Sequence, residues 1–148
     1  MIKLRSSPVL HAVSKFLIPP ILLFALYVQL HGEYGPGGGF QAGVIFAVVF
    51  ILYALVLGTE ALLQAIPAHV MRLLAAAGLL LYGLTGVASF LFDKNLLDYS
   101  VFHADPVTAQ HIGIVLIELG VGMTVAFSML AIYAAFSDRP SSYEDGDA

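Results

Sequence analysis

Glu118 is the one acidic side chain inside an otherwise apolar run, residues 112–136. A carboxylate there is costly enough in a bilayer to mark a functional position. His111 lies seven residues earlier and so on about the same helical face, with Val115 between them and Gly122 and Ala126 continuing the stripe. Gln29 and His31 close an earlier apolar run and Gln41 opens the next, all at a similar outer depth. Together these residues suit a proton carrier or part of a cation route, because desolvation favours a neutral carboxyl and a nearby cation favours a carboxylate. The bland reading of Glu118 is a structural hydrogen bond between helices. His111 by itself reads as an interfacial polar anchor, since a metal site needs further ligands in a fixed geometry. His31, His69 and His103 are scattered over loops and both membrane sides. No Ser or Cys nucleophile has a neighbouring base, and there is no H-E-x-x-H, so neither an enzyme, a metal site nor a cofactor is expected.

The second feature is the stretch HGEYGPGGGFQAGVIF, residues 31–46. A glycine cluster ahead of a helix suggests a phosphate cradle, but a P-loop needs G-K-[ST], and Phe40, Gln41 and Ala42 follow Gly39 instead. A dinucleotide fingerprint needs a preceding strand and an acidic residue about 20 positions on. Here a membrane span precedes and the stretch faces away from the nucleotide pool, so a nucleotide site is rejected. Either a flexible hairpin turn or a fixed, close-packed one remains. Gly39, Gly43, Ala47, Ala54 and Gly58 recur at near-helical spacing, and such a small-residue face lets another backbone approach closely in lipid. That favours the packed turn, with Pro36, Gly37, Gly38, Gly39, Phe40 and Gly43 forming a wedge or interface.

These residues have to be positioned by membrane helices. The chain has 148 residues, is 59% hydrophobic and only 11% charged, against about 25% charged in soluble domains. About 20 apolar residues cross the hydrocarbon layer, and four stretches qualify: about 8–31, 40–63, 70–92 and 108–136. The expected fold is therefore an all-α integral membrane protein of four transmembrane helices, residues 1–137, followed by an acidic, disordered tail, residues 138–148. Ser7 and Pro8 read as cap and first position of the first helix, and Pro19-Pro20 should kink it. Asp105-Pro106 reads as the cap and start of the fourth. The first span is retained rather than cleaved as a signal peptide, since Tyr27, Val28, Gln29 and Leu30 offer no small-x-small site. Tyr82, Thr85 and Ser89 of the third span read as core.

Lys3, Arg5, Lys15, Arg72 and Arg139 fall on one side of the spans and Lys94 alone on the other, so both termini are expected in the cytoplasm and the glycine stretch outside. There is no cysteine, hence no disulfide or thiolate site. With no basic patch carrying aromatics, nucleic acid is not an expected partner.

The order HGEYGPGGGFQAGVI, an apolar helix, a third span and HIGIVLIELGVGMTV resembles the B subunit of multisubunit Mrp-type (Mnh-type) sodium/proton antiporters, over nearly the whole chain except the tail. Its most specific part is the turn of Pro36, Gly37, Gly38, Gly39, Phe40 and Gly43; His111, Gly113, Glu118, Gly120 and Gly122 also look like the family's. The resemblance implies a small subunit of a bacterial or archaeal cell-membrane assembly that exchanges Na+ for H+, with other antiporter subunits, including complex I-like membrane subunits, as partners. Two alternatives stay open at this point. One is the equivalent subunit of a membrane-bound hydrogenase or related respiratory complex; the other is a structural subunit that carries no ion.

Overall fold

The computed structural model describes residues 7–32 and 35–137. Lys3, Arg5, Glu33, Arg139 and the acidic tail expected over residues 138–148 lie outside the described residues. Among those described there is no strand, and four helices are long and apolar enough to cross a membrane.

Helix α1 is Pro8–His31. Ser7 caps it, its Oγ accepting from the Leu10 N–H at 3.4 Å, and Pro8 sits where a missing N–H costs nothing. The helix is carried through Pro19 and Pro20 as one element. Helix α2 is Gly39–Leu57 and short helix α3 is Thr59–Ala65. They replace the single span expected over 40–63, because Gly58 adopts φ 103° and stops α2, its N–H bonding to the Ala54 carbonyl at 2.8 Å. A side chain at Gly58 would disfavour that backbone; the residue read as part of a packing stripe is a helix stop.

Helix α4 is Ala68–Val87, tightening into a 3₁₀ segment at Ala88–Phe92 that ends on left-handed Asp93. A second 3₁₀ turn, Tyr99–Val101, precedes α5, Pro106–Ser137. Asp105 caps α5, its Oδ2 accepting from the Thr108 N–H at 2.9 Å and the Thr108 hydroxyl at 2.7 Å.

Helix α5 is the axis of the bundle, flanked by α4 and α2, whereas α1 packs on α2 and touches α5 little. Apolar association gives little drive in lipid, so close backbone contact has to supply it. Glycines supply it on both flanks. A Cβ on Gly78 would lie 2.7 Å from the Gly120 carbonyl, and one on Gly120 would lie 2.7 Å from the Tyr82 nitrogen. On the other flank, a Cβ on Gly43 would lie 2.6 Å from the Gly122 carbonyl. Thr124 adds a hydroxyl bond to the Ala75 carbonyl of α4 at 3.3 Å. Toward the chain termini an apolar cluster packs around Ala47, Ala54, Leu62, Met71, Leu130 and Ala134. There the Thr59 and Ser137 hydroxyls, 2.6 Å apart, join the start of α3 to the end of α5.

These contacts fix a stagger. Gly39 of α2 meets α5 at Glu118, while α5 begins at Pro106, roughly 18 Å of helix further out at about 1.5 Å per residue. The α4–α5 hairpin thus rises well past the α1–α2 turn. Its projecting part remains apolar and outward-facing, with Leu84, Val87, Leu91 and Phe92 exposed. The uncharged run of α4 between Arg72 and Asp93 is about 30 Å long, one hydrocarbon thickness, and Gly120 packs near its middle, against Gly78 and Tyr82. A slab laid over that run holds the glycine turn inside it. Raising the turn to the surface would instead put those four side chains in water, at up to about 1.5–3 kcal/mol each. The turn thus lies on a step in the bundle, about 18 Å of helix short of the start of α5.

A carboxylate in a glycine turn

The turn is built by its own backbone. The Gly35 N–H bonds to the His31 carbonyl at 3.1 Å, and the Gly38 N–H reaches back to the Val28 carbonyl at 3.1 Å, pinning the chain across the end of α1. Gly38 has φ 118° and ψ 175°, a conformation open in practice only to glycine, and as the N-cap of α2 it accepts from the Ala42 N–H at 3.0 Å.

Glu118 fills the space the glycines leave. A Cβ on Gly32 would run into its Oε1 and lie 2.8 Å from its Oε2; one on Gly38 would lie 3.1 Å from Oε1; one on Gly39 would fall on the Glu118 backbone carbonyl. Three glycines thus border one residue: Gly39 is required by its main chain, Gly32 by the Gly38 backbone 2.7 Å from its Cβ position, and Gly38 by its own φ. The carboxylate also lies at the start of α2, where backbone N–H groups and the helix dipole favour negative charge. Backbone polarity at the start of α2 thus contributes to holding the acid, and a carboxyl group is a chemistry that can exchange a proton or a monovalent cation.

The other sequence candidates divide. Gln41 shares with Glu118 a cleft of about 320 Å³, formed by residues 37–41 together with Ile117 and Val121. Phe40 stands at its lip, 63% exposed. Gln29 lies one turn deeper, its Oε1 2.5 Å from where a Cβ on Gly122 would be, lining a separate apolar cavity of about 200 Å³ between α1, α2 and α5. His31 belongs to the turn, its ring stacked on Tyr27 with centroids 4.8 Å apart. His111 is exposed on α5 and lines neither cavity. Gly43 packs on α5 below the turn, as the small-residue face of α2 implied, and Pro36 is exposed on it.

Thr85 and Ser89 are core, 5% and 1% exposed, their hydroxyls bonded to the Leu81 and Gly86 carbonyls. The Tyr82 ring is not core, at 46% exposure; only its backbone is packed. Two contacts escaped the sequence reading. One is the Gly78–Gly120 crossing, signalled only by a glycine inside the leucine-rich third span. The other is the Tyr99 ring seated on Gly113, which locks the α4–α5 loop onto α5. Burial raises the Tyr99 hydroxyl's pKa from its ordinary value. Among the described residues no group of three or more His, Cys, Asp or Glu could hold a metal ion.

Four apolar helices around a carboxylate seated in a backbone turn define a multi-pass membrane protein. Residues 9–131 match the family model described as a domain related to the MnhB subunit of the Na+/H+ antiporter, and the chain belongs to that family. The proteins designated antiporter subunit mnhB2 from Staphylococcus aureus strains Newman, JH1 and Mu3 are each 31% identical to it over 131 residues, covering 82% of this chain and 92% of theirs. These matches favour the antiporter expectation over the hydrogenase-type one.

Proposed function

We propose that this chain is a membrane subunit of a multisubunit monovalent cation/proton antiporter, in which Glu118 forms part of the outer route for Na+ or H+ and the glycine turn holds that group in register. The observation that carries the ion role is the Glu118 carboxylate, on a helix long and apolar enough to cross a membrane, seated against Gly32 and Gly38. An acid there is expensive unless it is used or well compensated, and the backbone N–H groups at the start of α2 contribute to that compensation.

The chain works in a cell membrane with both termini cytoplasmic, the side favoured by Lys15 and Arg72. Its partners are other antiporter subunits, including complex I-like membrane subunits, and the bilayer. It is a transport component and not an enzyme. Four spans with a single intramembrane acid do not make a complete exchanger, which is why the activity belongs to the assembly.

The deciding experiment pairs Glu118→Gln with purification of the tagged complex. Glutamine keeps the shape and loses the titratable charge, so Na+-driven proton movement in everted vesicles should fall about tenfold or more, equivalent to about 1.4 kcal/mol on the limiting step, with complex abundance unchanged. Intact antiport would reduce Glu118 to packing. A chain that purifies alone under conditions preserving other complexes would overturn the assembly itself.

A further inference from the structure

The α1–α2 hairpin stops at the glycine turn while α4–α5 continues outward, so the bundle has a step, and the cleft holding Glu118 and Gln41 lies at its foot. The α5 side of the cleft is apolar beside Glu118, at Ile117 and Val121, and Phe40 is turned outward at its lip. The Gln41 amide faces this space and makes no hydrogen bond among the described residues. Polar side chains and non-helical backbone at membrane depth are tolerated where protein or water covers them, not against hydrocarbon.

We propose that the step seats a transmembrane helix of another subunit, apolar where it meets Ile117 and Val121 and carrying one donor side chain, an ammonium, guanidinium or hydroxyl, at the level of the Gln41 amide. This rests on the chain being a subunit of an assembly. The polarity of the site selects the occupant. An outer-leaflet lipid points its headgroup at the surface and its tail end at the midplane, so it would press methyl groups onto the amide and the carboxylate. Water would meet a mouth framed by Phe40, Ile117 and Val121. A helix with one polar side chain matches both the apolar lining at Ile117 and Val121 and the unbonded Gln41 amide.

The test uses the tagged complex in native membranes, with the photoreactive p-benzoylphenylalanine placed at Phe40 and, in a second strain, at Val121. If the chain copurifies with no other subunit, the assembly reading fails before irradiation. Given copurification, the expected result at either position is an adduct with another membrane subunit, mapping to a transmembrane segment within a turn of a Lys, Arg, Ser or Thr. Adducts with lipid only, with a second copy of this chain, or with nothing at both positions overturn the proposal. A Gln41→Cys thiol in the same complex should resist a charged maleimide added from outside; labelling would show a water-filled mouth and overturn it equally.

Discussion

Gly39 and Gly83 both lie in apolar helices, and they should answer alanine in opposite ways. A methyl group at Gly39 falls on the Glu118 carbonyl, where backbone on both sides leaves nothing flexible to give. Overpacking of that kind costs about 1–3 kcal/mol, so Gly39→Ala should lower the melting temperature of the complex and its abundance. Gly83 has nothing within 4 Å of its added Cβ, and Gly83→Ala should be neutral or gain up to about 1 kcal/mol from helix propensity. A loss at Gly83 would place another chain's backbone against that face. Gly38→Ala combines a strained φ of 118° with the Glu118 Oε1 at 3.1 Å, and it should depress antiport more than abundance; unchanged activity would uncouple the turn from the carboxylate. Glu118 was legible in the sequence because the cost of an intramembrane acid is a property of one residue. Its seat was not, since Gly32, Gly38 and Glu118 are brought together only by the crossing of α2 and α5.

At the scale of elements, what could be read from sequence was what is local. Ser7-Pro8 and Asp105-Pro106 start helices through contacts with residues three positions on, and both caps are where their spacing put them. Gly58 was misjudged because a glycine serves a packing stripe and a helix stop equally well in sequence, and only its φ of 103° separates them. The cap on α5 gives a pH prediction. Hydrogen bonds from the Thr108 side chain and backbone hold the Asp105 carboxyl below its ordinary value, which is about 3.9 in an unfolded chain. A carboxylate depressed in the folded state stabilises fully above the unfolded value, and that contribution is lost as pH falls through the folded one. Asp105→Ala should therefore lose amide-exchange protection in the first turn of α5 at neutral pH and match the parent in strong acid. Equal protection at neutral pH would mean that the cap does not hold this end.

At the scale of the whole molecule, the stagger of the two hairpins is the least local property and the one on which depth assignments depend. Counting apolar residues placed all four spans, because length and hydropathy suffice for that, but it set each span against the bilayer separately. The glycine contacts at Gly39, Gly43, Gly78 and Gly120 tie the spans to one another, and the resulting offset sets the turn below the end of α4–α5, where Leu91 of the 3₁₀ segment is 82% exposed. The chain has no cysteine, so single thiols can read this offset directly. In the assembled complex a thiol at Leu91 should stay unlabelled by a charged maleimide added from outside, while one at Asn95, past Asp93 and Lys94, should react. If Leu91→Cys reacts as fast as Asn95→Cys, the α4–α5 hairpin projects into water and the turn moves up to the surface. Glu118 would then be an acid near the aqueous boundary, cheap to ionise, and the step would be an external ledge with no need of a covering helix.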